Sequence, residues 1–254
     1  MISSQQRLKH IMKIIEEEKN VSVKVLSKKL KVSEVTIRKD LERLEQNNLV
    51  TRTHGGATIE DILTEDRSIY SRMKLNRNLK EKIGRKAVSF LSENEVIAMD
   101  GGTTTLFVAK NLPIEIEQVV ITDSAFCAIE LSKKPNIEVI LLGGLFHKKS
   151  FSVGGSITEE LIRNLRFNKA IISAGGIIPE IGLFDNLASE PYVKRQMTRV
   201  ADEVFVVADS TKLGKRLFFN FLATGEINKL FTDSGIKKED IDILTGLGVE
   251  VIIC

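Results

Sequence analysis

The chain has 254 residues, 43% hydrophobic and 28% charged, enough for one large domain or a small domain plus a medium one, and too apolar for wholesale disorder. No apolar run approaches the roughly 18 to 20 residues that span a bilayer, and the N-terminus, MISSQQRLKHIMKIIEEEKN, lacks the segments of a secretory signal, so a cytoplasmic protein with no membrane partner is expected. The net charge of +3 is unevenly placed: residues 1–56 hold 12 Lys/Arg against 7 Asp/Glu, giving +5, and the remaining 25 against 27 give −2, which points the N-terminal quarter toward a polyanion.

In chain order, Leu8, Ile11, Met12 and Ile15 recur at helical spacing and predict a first helix ending near Lys19–Asn20. Val21 and Val23 read as a short extended segment. Val25, Leu26 and Leu30 follow as the stripe of a second helix, and KVS as a turn. Ser33 is placed to N-cap a third helix, SEVTIRKDLERLE, whose Ile37, Leu41 and Leu44 share one face. NNLVTRTHGGAT then has the alternation and Gly-Gly pair of a hairpin. Residues 58–75 are of mixed polarity and weak periodicity and read as a linker. LKEKIGRKAVSFL opens a second domain as a helix.

From Glu95 onward the pattern alternates. EVIAMD, QVVITD, IEVILLGG, KAIISAG, EVFVVAD, KLFTD and VEVIIC are strand candidates, with SITEELIRNL, SEPYVKRQMTRVA and SGIKKEDIDILTGLG among the helices between them. Such a series implies a mostly parallel sheet covered on both faces, with ligands at the carboxyl ends of its strands. GGLFHKKSFSVGG reads as a Gly-bounded basic loop. Cys127, Cys254, His10, His54 and His147 are not at metal-ligand spacing, so neither a metal nor a cofactor is expected.

The third helix carries both signs of charge. Val35, Lys39, Glu42 and Arg43 lie opposite its apolar stripe, with Thr36 and Arg38 on the flanks, and its acids Asp40, Glu42 and Glu45 fall mainly in the second half. Taken alone it fits a solvated helix with ion pairs such as Asp40–Arg43 or Arg38–Glu42. Three short helices followed by RTHGGAT instead match a winged helix-turn-helix, with the N-terminal half of the third helix in a major groove and Arg52, Thr53 and His54 on the wing. The candidate DNA contacts are therefore Ser33, Val35, Thr36, Arg38, Lys39, Arg43, Arg52, Thr53 and His54.

Residues 7–57, above all VSEVTIRKDLERLE and RTHGGA, resemble the DNA-binding region of DeoR-family bacterial transcription regulators. That family often has Arg-Arg where this chain has Arg38-Lys39. Lysine keeps the charge and loses the bidentate fork, which suits Lys39 to phosphate. Residues 76–254 resemble the family's second domain through DGGTTT, TDS, SVGG, SEPYVKRQM and ADSTKLG. The resemblance implies an α/β fold of the sugar-phosphate isomerase and coenzyme A transferase type, an effector pocket bordered by Glu190 and Lys194, and a dimer or tetramer.

The residues themselves leave two readings of the DGGTTT turn. Asp100, Gly101, Gly102, Thr103, Thr104 and Thr105 form either an anion site at a helix N-terminus or a plain strand–helix turn. Thr122 and Ser124 repeat the arrangement on the next strand, with Asp123 between them, whose carboxylate would repel a phosphate and fits instead either a sugar hydroxyl or a cap on the next helix. Asp209 can accept from sugar hydroxyls and Lys212 can neutralise phosphate, while Glu190 and Lys194 at i, i+4 also fit a helix ion pair.

The expectation is a winged helix-turn-helix over 1–57, a linker over 58–75 and a sensor over 76–254. Its partners would be double-stranded operator DNA and a phosphorylated sugar, and its action repression. A sugar-phosphate enzyme with an accessory nucleic-acid domain is the alternative. No catalytic residue is assigned, since neither a phosphate loop nor a nucleophile elbow is present.

Overall fold

The computed structural model describes residues 4–18, 20–46, 50–53, 55–58, 69–186 and 190–254. The fold divides into two compact units, Met1–Ser71 and Arg72–Cys254.

In the first unit α1 (Ser4–Glu18), β1 (Asn20–Ser22), α2 (Val23–Leu30) and α3 (Glu34–Gln46) precede a hairpin of β2 (Thr51–Thr53) and β3 (Gly56–Thr58). Ile11 and Ile15 of α1, Val23 and Leu26 of α2, and Ile37, Leu41 and Leu44 of α3 bury one core with Val21, Val50 and Ala57. Val25, expected on the α2 stripe, is exposed instead; the stripe runs Val23, Leu26, Leu30, a 3–4 spacing that Val25 does not share. The turn between α2 and α3 places Lys31 in the left-handed region at φ 54°, where its N–H reaches the Ser27 carbonyl. Ser33 caps α3: its Oγ accepts from Thr36 N at 3.2 Å. The hairpin is joined by β1 in the order β1-β3-β2. A Cβ on Gly56 would lie 2.1 Å from the Val21 carbonyl oxygen, so only glycine admits that strand contact.

Asp40 departs from the expectation for a surface acid. It is buried, and Arg7 of α1 donates to it from Nε at 2.5 Å and Nη2 at 3.2 Å. The carboxylate falls one residue before Leu41 on the inward side of α3, so it clamps α1 to α3 rather than pairing with Arg43.

α4 (Ile69–Lys74), within the stretch read as linker, runs across the boundary between Ser71 and Arg72, and α5 (Arg77–Val88) follows in the second unit. Then follow β4 (Val96–Met99), α6 (Thr103–Asn111), β5 (Gln118–Thr122), α7 (Ala125–Leu131) and β6 (Ile137–Leu141). A hairpin of β7 (Leu145–His147) and β8 (Ser152–Gly154) leads to α8 (Ser156–Arg163) and β9 (Phe167–Ile172). Next come β10 (Gly176–Ile178), β11 (Gly182–Asp185), α9 (Glu190–Arg199) and β12 (Ala201–Val207). The chain ends with β13 (Phe219–Ala223), β14 (Lys229–Thr232), α10 (Lys238–Gly246) and β15 (Glu250–Ile253).

The seven strand candidates form one parallel sheet, ordered β15-β14-β12-β9-β4-β5-β6. Alternation along the strands covers both faces: Ile97 and Met99 pack with α5, α6 and α7 residues, while Ala98 packs with Ile162 of α8 and Val193 and Met197 of α9. Further along, Val204 and Val206 pack against Leu183, Phe221 and Leu222 of a small antiparallel sheet, β10-β11-β13. The basic loop GGLFHKKSFSVGG is the β7–β8 hairpin, with Phe146 opposite Val153. Its turn packs Phe146 on Phe151 and Phe151 on Phe126.

Asp40 gives the N-terminal unit its test. Arg7→Ala leaves that carboxylate buried without its donor and is expected to lower stability by about 1.5–3 kcal/mol. Urea unfolding followed by circular dichroism measures it.

Candidate functional site

Two surfaces carry the candidate residues. On α3, packing of Ile37, Leu41 and Leu44 turns Val35, Arg38, Lys39, Glu42 and Arg43 outward. Val35 is 64% exposed, an unusual position for an aliphatic side chain with no core to join. Ser33 and Thr36 share a hydroxyl contact of 2.8 Å at the helix start. Arg38 pairs at 3.6 Å with Glu34 rather than Glu42; an exposed i, i+4 pair of this kind contributes about 0.3–0.5 kcal/mol and is easily exchanged for another anion. Arg52 and Thr53 lie on β2, in register with Ala57 and Gly56 of β3. His54 lies outside the described residues.

The second surface is at the carboxyl ends of the parallel strands. From β4 the chain steps to β5 and β6 on one side; it then returns to β9 on the other side of β4 and continues to β12. The strand order therefore reverses between β4 and β9, and open α/β sheets bind ligands at such a reversal. Asp100, just after β4, and Ser173, just after β9, meet there: Ser173 Oγ donates to Asp100 Oδ2 at 2.8 Å. A Cβ on Gly102 would come within 1.9 Å of Ser173 Oγ, so the turn into α6 requires glycine.

Lys194 of α9 completes this centre. It is buried, 3.1 Å from Asp100 Oδ2, and donates to Asp185 Oδ2 at 2.5 Å and to the Ser173 carbonyl at 3.1 Å. Burial works against its charge, but Asp185, Asp100 and Glu190 outweigh that and hold the ammonium pKa above its ordinary value. The expected i, i+4 pair with Glu190 gives way to Asp100 and Asp185, because α9 turns Lys194 into the sheet. Thr105 donates its hydroxyl to Asp100 Oδ1, which removes it from the hydroxyls available to a phosphate.

Thr103 and Thr104 are buried at the start of α6, and their hydroxyls make no hydrogen bond to another described residue. Gly102 supplies that helix with no side-chain cap, so its first N–H groups remain for another acceptor. Thr122 Oγ1 donates to the Met99 carbonyl at 2.7 Å and accepts from Ser124 N, and Ser124 Oγ accepts from Cys127 N. Both hydroxyls thus shape the β5–α7 turn. Asp209 follows β12, two strands from β4. It accepts from Thr211 N at 3.1 Å and from Asn76 Nδ2 at 3.3 Å, and Lys212 closes the same 3-10 turn. Cys127 is buried, and burial pushes its thiol up to about 12, so it offers no nucleophile.

Asp123 is 1% exposed, and its Oδ1 has no hydrogen-bond partner among the described residues. Burial first, then Asp100 and Glu190, push its pKa well above the ordinary carboxylate range, against the opposing field of Lys194. The repulsion expected between Asp123 and a phosphate therefore does not arise while the acid is protonated.

Residues 7–62 match the sequence model of the DeoR-like helix-turn-helix domain, and residues 75–234 that of the DeoR C-terminal sensor domain. The chain belongs to the DeoR family of transcription regulators. YulB, an HTH-type transcriptional regulator of Bacillus subtilis, is 34% identical over 97% of this chain and 95% of its own length. The HTH-type transcriptional repressor GlcR of the same organism is 32% identical over 98% and 96%. A solved ribose 5-phosphate isomerase A from Methanocaldococcus jannaschii covers 56% of each chain with a TM-score of 0.42 at 18% identity.

In this DeoR-family regulator the centre draws on two residues that the motifs did not mark, Ser173 and Asp185. Ser173 had a signal: it is the first polar residue after the apolar run of β9, at a strand's carboxyl end. Asp185 had none, because its strand belongs to the antiparallel sheet and reaches Lys194 only through tertiary packing.

Lys194→Met is the direct test of the centre. It leaves the buried Asp100 and the part-buried Asp185 without their cation and is expected to destabilise the domain by about 3–5 kcal/mol. Denaturant unfolding of the variant against the parent chain reads that loss.

Proposed function

We propose that this DNA-binding regulator represses a carbohydrate operon and that a phosphorylated sugar, bound at the β4–β9 reversal, controls it. The names of its relatives support the regulatory half: one is a transcriptional repressor, GlcR, and another is described as a putative aga operon transcriptional repressor of Escherichia coli, 28% identical. The observation that carries the effector half is the α6 N-terminus, whose first N–H groups have no side-chain cap and whose first turn carries the buried Thr103 and Thr104. In this reading the phosphate lies on α6 with Lys212 as its cation, and sugar hydroxyls reach Asp209 and Ser124.

The N-terminal part, 1–57, reads DNA with α3 and the wing. Segment 58–75 transmits the signal from the sensor, 76–254. Arg38 reads a base edge, Val35 packs on a thymine methyl, and Lys39, Arg43, Arg52 and His54 hold phosphates, with Ser33, Thr36 and Thr53 positioning the backbone. A coupling of about 1–3 kcal/mol between effector and operator suffices for a 5- to 150-fold change in operator affinity. Two copies on a palindrome would set half-sites about one helical turn apart or a multiple of it.

The two surfaces have separate tests. Arg38→Ala is expected to weaken operator binding by about 1–3 kcal/mol and relax specificity at one base pair, whereas Lys39→Ala weakens all sequences alike and lowers the salt slope by about 1. Gel-shift titrations at several salt concentrations distinguish them, and unchanged affinity in Arg38→Ala removes that residue from the interface. The paired change Thr103→Val and Lys212→Ala is expected to abolish the thermal shift given by sugar phosphates while operator binding persists. Sugar phosphates that neither shift the melting temperature of the parent chain nor alter its operator affinity would refute the sensor role.

A further inference from the structure

We propose that Asp123 selects the effector by donating a hydrogen bond to a ligand oxygen beside the Gly101–Gly102 turn. The inference rests on the sensor reading above and adds to it a residue and the ligand chemistry it accepts.

The geometry singles Asp123 out from the other buried acids. Asp100 has Thr105, Ser173 and Lys194. Asp209 has Thr211 and Asn76, Asp233 has Ser210 and Gly235, and Asp40 has Arg7. Asp123 Oδ1 is the one buried carboxylate oxygen without a partner among the described residues. An atom at the Cβ position of Gly101 would lie 3.6 Å from that oxygen and 2.8 Å from Ser152 Cβ, which fixes the side chain next to the start of α6. The unpartnered group therefore stands where the proposed phosphate site adjoins the rest of the ligand.

Its surroundings make it a donor. Asp100 after β4 and Glu190 on α9 are acids; Lys194 on α9 is the cation, held by Asp100 and Asp185; Cys127 on α7 and Ser152 on β8 also lie nearby. Burial and the two acids raise its pKa and so favour the neutral acid, the form in which the side chain offers an O–H where an ionised one would repel an anionic ligand. The β7–β8 hairpin is tied to both flanks of Asp123: Val153 N donates to its carbonyl at 2.8 Å and Ala125 N to that of Phe151 at 2.9 Å.

The pH dependence has a definite sign. With its folded pKa raised, Asp123 contributes stability that is full below the ordinary carboxylate pKa of about 3.9 and is lost as pH rises through the raised value. Ligand affinity that needs the proton falls about tenfold per pH unit beyond that value.

The experiment titrates the full chain with a panel of hexose and pentose phosphates, with inorganic phosphate and free sugars as controls. Calorimetry and thermal shift are read from about pH 5.5 to 9 for the parent, Asp123→Asn and Asp123→Leu, with circular dichroism as the folding check. Asp123→Asn keeps a neutral donor. It is expected to bind within about threefold of the parent at low pH and to hold that affinity and its melting temperature at high pH, where the parent loses both. Asp123→Leu is expected to lose affinity at least tenfold at every pH. Because the phosphate's own ionisation acts equally on all three proteins, parallel pH profiles for parent and Asp123→Asn overturn the proposal. So does undiminished binding by Asp123→Leu, the result expected if a water alone meets Asp123. No response to any sugar phosphate in parent and Asp123→Asn alike overturns the sensor reading itself, and is told apart by its appearance in both.

Discussion

The ammonium of Lys194 is the interaction on which the sensor domain's architecture turns. A buried lysine is tolerated only when its charge and its N–H donors are matched, and here Asp185, Asp100 and the Ser173 carbonyl do so from three directions. Those partners belong to β11, the end of β4 and the end of β9, while the lysine itself comes from α9. One cation thereby joins the parallel sheet on both sides of its reversal to the antiparallel sheet that covers it. The requirement for glycine at position 102 follows from the same arrangement, since Ser173 can reach Asp100 only across a residue without a side chain.

Arg7 and Asp40 play the corresponding part in the first unit, on a smaller scale. α3 contains Glu34, Asp40, Glu42 and Glu45 against Arg38, Lys39 and Arg43, and by count alone its surface is nearly neutral. Withdrawing Asp40 into the contact with α1 removes one acid from that surface without changing the sequence total. The outward side then presents Val35, Arg38 and Lys39 together near the helix start, which matches a partner combining phosphates with apolar base methyls better than net charge would suggest.

What could be read from sequence follows the range of the interactions involved. The seven parallel strands were legible because each is an apolar run bounded by turn residues, and the cap at Ser33 because capping is decided within three residues. The β7–β8 hairpin was not, since its strands are three residues each and lysines and glycines dominate the composition around them. Asp185, Ser173 and the burial of Asp40 depend on contacts 9, 73 and 33 residues away along the chain, which no local pattern encodes. Position i, i+4 suggested Glu190 as the partner of Lys194. Tertiary packing supplied two stronger acceptors instead, and a solvated helical pair is too weak to compete with them.

With the effector placed as proposed, holding the fold and sensing fall to different groups. Lys194 is a buried cation beside Asp100 at the strand-order reversal, yet its donors are occupied by Asp100, Asp185 and Ser173. A ligand that recruited it would have to break ion pairs that maintain the domain. An anion bound instead by the free backbone of α6 and the hydroxyls of Thr103 and Thr104 meets groups that the fold leaves unmatched. Such a ligand can arrive and leave at the cost of its own contacts alone. For a regulator this matters, because the unliganded state must remain folded and functional rather than depend on the ligand for its stability.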